Sequence, residues 1–225
     1  MNDFPFDIVG FDLDGTLLDT HGDLADALNH AMAKAGRPPV PHAETRDLIG
    51  GGSKKMLGRA LDLTGGRPSD AEFGRLHAAL LDHYSRNIAN HTKPFPGAVA
   101  ALDALQERGV RLAVVTNKYE RFAREVLGTL GLAERFFVIL GGDTLGPERS
   151  KPSPDLLIEM TERGGSANCA YVGDTTYDTQ AARAAGMPCV AVRFGFCDRE
   201  PEQLGADALI DHFDDLIPAL ASLSR

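Results

Sequence analysis

The sequence predicts an α/β fold: a Rossmann-like parallel sheet core with an inserted α-helical cap domain. Three observations predict it. Short, continuous apolar runs recur along the chain, each ending in a polar or Gly-containing turn. Helical patterns lie between those runs. The alternation then stops between Asp19 and Lys93, where no strand-like run occurs.

The apolar runs are Asp7-Ile8-Val9-Gly10-Phe11, Val110 to Val115, Phe136 to Leu140, Ala170-Tyr171-Val172-Gly173 and Cys189 to Phe194. Continuous rather than alternating apolarity is the mark of strands buried on both faces. Ala98 to Arg108 and Arg121 to Leu130 read as helices, each followed by a glycine (Gly109, Gly131) suited to a C-cap. Strands alternating with helices predict a parallel sheet covered on both sides. In the interrupting stretch, Leu24, Leu28, Ala31, Met32 and Ala35 recur at helical spacing until Gly36 and Pro38-Pro39 stop them. Lys54 to Leu63 and Asp70 to Ile88 continue the helical pattern. The expected division is therefore a core of residues 1–18 and 94–225 and a helical cap of residues 19–93. Pro147 to Pro154 reads as a loop, and the chain shows no internal repeats.

The 225 residues are 43% hydrophobic and 24% charged, the composition of a globular protein. Acidic residues outnumber basic ones by 32 to 23, for a formal net charge of -9. Such a surface repels phosphate backbones and argues against nucleic acid as a partner. It repels phosphorylated metabolites too, so a phosphate site here needs local positive charge or a cation. No apolar stretch is long enough to span a bilayer, and the N-terminus lacks the regions of a signal peptide, so no membrane role is expected. Three irregularly spaced cysteines without a CxxC fit a reducing, cytoplasmic setting.

Polar clusters sit where the apolar runs end. The first is Asp12-Leu13-Asp14-Gly15-Thr16, the second Thr116-Asn117-Lys118, and the fourth Gly173-Asp174-Thr175-Thr176-Tyr177-Asp178. Lys151 lies in the loop after the third run. Ligands of open α/β sheets bind outside the carboxyl ends of the strands, so these clusters converge if the strands are neighbours.

Taken in order, the four clusters resemble the motifs of the haloacid-dehalogenase superfamily: Asp12-Leu13-Asp14-Gly15-Thr16 the first, Thr116 the second, Lys151 the third, and Gly173-Asp174 with Asp178 the fourth. The resemblance covers nearly the whole chain, with the helical insert where that family carries its cap. It implies that Asp12 is the nucleophile and forms an aspartyl-phosphate. Asp14, two positions along an extended segment and on the same face, then protonates the leaving oxygen and deprotonates water. Thr116 and the N–H of Asn117 hold phosphoryl oxygens, and Lys151 supplies positive charge. Asp12, the carbonyl of Asp14 and Asp174 offer hard oxygen ligands for Mg²⁺, with Asp178 contributing through water or from behind. Asp178 also reads as the start of a helix at Thr179, and Lys118 reads as solvated.

Asp14 points to phosphate-ester chemistry, since halide departure needs no proton. Phe11 to Thr20, Thr116-Asn117-Lys118, Lys93 to Gly97 and Gly173 to Gly186 look most like the phosphoglycolate phosphatases. Sugar-phosphate phosphatases, pyrophosphatases, phosphomutases and a non-catalytic regulator on the same fold remain alternatives. The expected partner is a small-molecule phosphate ester, acted on by a monomer or homodimer. A carboxylate beside the phosphate needs its own reader. Gly50-Gly51-Gly52-Ser53-Lys54-Lys55 supplies glycines for close approach, helix N-terminal N–H groups and two lysines, so Gly51, Gly52, Ser53 and Lys54 are candidate substrate contacts. The two lysines read equally well as solvated helix residues.

Overall fold

The structure is a computed structural model and describes residues 4–223. From the N-terminus, β1 (Ile8–Phe11) leads to a two-residue strand, β2 (Leu18–Asp19). Helices α1 (His21–Lys34), α2 (His42–Thr45), α3 (Ser53–Leu63) and α4 (Asp70–Arg86) follow, and the chain returns through β3 (Lys93–Pro94). Helices and strands then alternate: α5 (Ala98–Glu107), β4 (Arg111–Val115), α6 (Glu120–Thr129), β5 (Phe136–Leu140), α7 (Asp155–Gly164), β6 (Cys169–Gly173), α8 (Thr176–Ala184) and β7 (Cys189–Val192). A short strand β8 (Ala208–Ile210) and helix α9 (Leu216–Ser222) finish the described chain.

Six parallel strands form one sheet in the order β5-β4-β1-β6-β7-β8. Successive strand residues point to opposite faces, and both faces are filled. On one side Val9, Phe11, Leu112 and Val114 join a core with α5, α6 and α9; on the other Ile8, Ala113, Val115 and Tyr171 meet Leu156, Leu157 and Met160 of α7. Close approach of α7 needs Gly10, because a Cβ there would lie 2.6 Å from Met160 Sδ. Leu157 is fully buried in this layer. Leu157→Ala is expected to cost about 2–5 kcal/mol of stability, read as a lower urea midpoint at unchanged slope.

Between β2 and β3 the described chain is helical, with α1 packed along α4. The two crossings are tied together. Leu18 pairs with Pro94 and Asp19 with Lys93 in antiparallel register. The buried Asp23 carboxylate accepts the N–H groups of His91 and Thr92, the latter at 2.9 Å, and the Thr92 hydroxyl at 2.6 Å. No helix among the described residues is long and apolar enough to cross a membrane.

Two details differ from expectation. The apolar run from Cys189 leaves the sheet after Val192, because Arg193 to Phe196 bends back over the end of β6. The edge strand β8 is only three residues long, too short for its apolarity to stand out.

Candidate active site

The sheet order places β1 between β4 and β6, at the point where the chain, having built one side of the sheet, crosses to build the other. A crevice opens at the carboxyl ends of strands at such a switch point. Asp12 follows β1 and continues its ladder, its N–H donating to Val172 O at 2.9 Å. Thr116 does the same after β4, donating to Leu140 O at 2.9 Å. Asp174 follows β6, and Lys151 comes from the loop between β5 and α7. Gly15 turns the chain beneath them at φ 83, and a Cβ on it would lie 2.2 Å from Asp174 Oδ2.

Lys151 is the hub. Its ammonium is 3.1 Å from Asp12 Oδ1, 2.6 Å from Asp178 Oδ1 and 2.8 Å from the Tyr171 hydroxyl, which in turn donates to Val115 O at 2.5 Å. Burial disfavours the ammonium, but Asp12 and Asp178 outweigh it and hold Lys151 charged. Asp12 is pushed up to about 6, chiefly by burial, with Lys151 opposing and the Asp178 charge adding. Burial, then Asp178 and Asp12, raise Asp174 well above the usual carboxylate range. Its oxygens are aimed by the Thr16 hydroxyl at 2.9 Å and the Phe196 N–H at 2.7 Å.

Carboxylate oxygens of Asp12, Asp174 and Asp178 lie within 4.8 Å of one another, all buried. Three buried carboxylates thus crowd together while the one ammonium among them pairs with only Asp12 and Asp178, a set that a further positive charge balances. Asp12 Oδ1 is buried and, apart from its ion pair with Lys151, accepts no hydrogen bond among the described residues. An all-oxygen set with this excess negative charge fits a divalent cation of the Mg²⁺ type. Asp178 does two jobs at once. Its Oδ2 closes a capping box with Thr175 at the start of α8 and its Oδ1 takes Lys151, so both oxygens are engaged within the protein.

The carboxylate of Asp14 does not join this cluster. It binds the Lys118 ammonium at 2.8 and 3.0 Å. Lys118 is therefore not solvated, as the sequence had implied, but 8% exposed. Tyr84 of α4 covers it, with its ring centroid 4.6 Å from Nζ. Burial opposes the charge on Lys118, but Asp14 outweighs it. No local pattern marks this lysine, because its cover comes from a helix over thirty residues earlier in the chain.

Asp12, Asp14, Thr116, Asn117, Lys118, Lys151 and Asp174 line one cavity of about 320 Å³, together with Gly50, Gly51, Gly52, Ser53, Lys54 and Lys55 from the helical module. Asn117 braces the lysine loop, its Nδ2 donating to Lys151 O at 2.9 Å. Gly50, Gly51 and Gly52 all have positive φ, and Gly52 caps α3. Ser53 Oγ is 2.9 Å from His77 Nε2. Lys54 is exposed. Lys55 donates to the Tyr177 hydroxyl at 3.2 Å and lies 4.5 Å from that ring's centroid. Arg46 reaches across in the same way to the carbonyls of Phe194 and Gly195. Phe196 and Arg46 carry no motif, and packing alone brings them here, while Tyr171 and Tyr177 come with the strand and the polar cluster around Asp174.

Residues 9–192 match the haloacid dehalogenase-like hydrolase family. The chain is 41% identical over 216 residues to a phosphoglycolate phosphatase of Mesorhizobium japonicum, covering 95% of this chain and 94% of that one. It is 37% identical over 215 residues to an N-acetylmuramic acid 6-phosphate phosphatase of Pseudomonas aeruginosa, covering 93% and 92%. Among solved structures, that of a predicted phosphoglycolate phosphatase from Haemophilus somnus matches with a TM-score of 0.89 at 29% identity, covering 95% of this chain and 97% of that one. With the family match running from β1 to β7 and relatives aligned over nearly their whole length, this chain belongs to the haloacid dehalogenase-like hydrolases.

Proposed function

We propose that this hydrolase is an Mg²⁺-dependent phosphatase that moves the phosphoryl group of a small ester onto Asp12 and then to water, with 2-phosphoglycolate as its substrate. The observation that carries the chemistry is the buried Asp12 carboxylate, 3.1 Å from Lys151 and facing a cavity. Asp12 attacks phosphorus, and Lys151 offsets the charge gathering on Asp12 and the phosphoryl oxygens. Thr116 and the N–H of Asn117 hold those oxygens. Asp14 gives a proton to the departing oxygen and later takes one from the water that cleaves the aspartyl-phosphate. Asp12, the Asp14 carbonyl and Asp174 would hold the Mg²⁺, with Asp178 aiming Lys151 and the Asp174 backbone from behind. That ion supplies positive charge, so an anionic ester approaches a site lined with carboxylates.

In this reading, residues 19–93 act as a cap over the core of residues 1–18 and 94–225. The loop from Gly50 to Lys55 closes the cavity, with the backbones of Gly51 and Gly52 and the side chain of Ser53 turned to the ester and Lys54 at the solvent-exposed rim. Closure excludes water other than the attacking molecule. The contact of Lys55 with Tyr177 supports closure rather than substrate choice. Lys55→Ala is expected to lower kcat/KM for all esters by the same factor, about two- to fivefold for an exposed cation–π contact. Three free cysteines suit a cytoplasmic setting.

The substrate name rests on the relatives, one of which is named for a different ester. Both 2-phosphoglycolate and N-acetylmuramic acid 6-phosphate carry a carboxylate as well as a phosphate. A larger phosphorylated sugar is the second reading, favoured by the cavity of about 320 Å³ and its apolar walls of Leu24, Ile49, Met56, Leu80 and Phe122. Ranking kcat/KM with Mg²⁺ for 2-phosphoglycolate, N-acetylmuramic acid 6-phosphate, hexose phosphates and pyrophosphate tests the assignment. The expected leader is 2-phosphoglycolate, and preference for any other ester removes the name while keeping the Asp12 chemistry.

A further inference from the structure

We propose that Lys118 reads the substrate's carboxylate, sharing its ammonium between Asp14 and that group. The inference rests on the phosphoglycolate reading and adds the residue that selects for it. In 2-phosphoglycolate a single methylene separates the ester oxygen from the carboxylate carbon. The group that recognises the carboxylate must therefore lie beside the group that serves the ester oxygen. In the proposed mechanism Asp14 serves that oxygen, and the cation beside Asp14 is Lys118, at 2.8 and 3.0 Å from its two carboxylate oxygens.

The other cations around the cavity are committed or remote. Lys151 is bound to Asp12, Asp178 and Tyr171. Lys55 rests on Tyr177, and Lys54 is exposed to water, where an ion pair adds little. Lys118 is different because its side chain is only 5% exposed and still lines the cavity. An ammonium has three donors, of which Asp14 takes two at most. The Tyr84 ring centroid lies 4.6 Å from the ammonium, and Phe122 stands edge-on to that ring, so this corner is walled by aromatic surface. A charged hydrogen bond formed there is stronger than one in water, and an uncharged group in the same place leaves the ammonium short of a partner.

Comparing 2-phosphoglycolate with 2-hydroxyethyl phosphate tests the assignment. The two esters are nearly the same size and release similarly basic alkoxides, so they make the same demand on Asp14 and differ in the carboxylate. Lys118→Gln keeps an N–H donor for Asp14 and removes the charge. The wild type is expected to prefer 2-phosphoglycolate, and in Lys118→Gln the ratio of the two kcat/KM values is expected to fall by about 10–100-fold, the range for losing a charged hydrogen bond. Lys34→Ala, at an exposed lysine on α1 away from the cavity, is expected to leave that ratio unchanged. Thermal melting confirms that each variant is folded, and if Lys118→Gln is not, Lys118→Arg decides. It keeps the charge but carries it on a wider fork, so it is expected to raise KM for 2-phosphoglycolate alone. If the variant loses both esters equally, Lys118 acts only through Asp14 and the inference is overturned while the substrate reading survives. A wild type that treats the two esters alike overturns both.

Discussion

Asp12→Asn is expected to abolish turnover, by at least about 10⁴-fold in kcat, while leaving the protein folded. An amide has the shape of the carboxylate but cannot form the aspartyl-phosphate. The fold should survive because Asp178 remains on Lys151 at 2.6 Å, so the buried ammonium keeps a partner. Removing one of three crowded carboxylates also relieves part of the repulsion that, after burial, raises Asp174. Steady-state release of phosphate, together with a thermal melt, separates lost chemistry from lost structure. Asp14→Asn should behave differently. Its loss is expected to be about 10²–10⁴-fold with alkyl phosphates and much smaller with p-nitrophenyl phosphate, whose leaving group needs little protonation. Substantial activity in Asp12→Asn would sink the covalent route.

Stripping Mg²⁺ is expected to remove activity, and adding it back is expected to raise the melting temperature more at pH 7.5 than at pH 5. The sign follows from Asp12 and Asp174. Asp12 is raised in the folded state from 3.8 to about 6. Between those values the folded metal-free protein holds a proton that the unfolded chain has lost, so its stability falls as pH rises through about 6. Asp174 is shifted in the same direction. At pH 7.5 Asp12 is pressed into its charged form beside Asp178, and a bound cation relieves it. At pH 5 protons have already done part of that work, and they compete with the metal. Paired melts of chelated and Mg²⁺-loaded protein at the two pH values give the answer, and a metal shift that is larger at pH 5 would refute the carboxylate cluster as the binding site. Ca²⁺ is expected to bind and inhibit, since its longer bonds and higher coordination number allow it to take both oxygens of Asp12 and turn the nucleophile aside.

The order of motifs was visible without coordinates because each is a short polar cluster closing an apolar run, and both signals are local. The parallel sheet followed for the same reason. Strand ends were less secure where an apolar run outlasts its ladder, as at Arg193 to Phe196, which leaves the sheet to place the Phe196 N–H on Asp174. The helices of the insert were readable from periodicity, though not their packing.

What the chain order carried on its own is the run of polar residues that follow the strands, Asp12, Asp14, Thr116, Lys151, Asp174 and Asp178, with an acidic balance under which a phosphate site needs local positive charge or a cation. What required the three-dimensional arrangement is every relation between distant segments. Lys118 looks like an ordinary surface lysine until Tyr84 covers it and Asp14 meets it across 104 positions. Lys55 looks free until Tyr177 lies under it. Asp178 looks like either a helix start or a site residue, and the fold makes it both, because one oxygen caps α8 while the other takes Lys151. Backbone hydrogen bonding and burial act over a few residues and leave a pattern in the sequence. The charge state of a buried lysine depends on what packs around it, and that is settled only when the helical insert closes on the sheet.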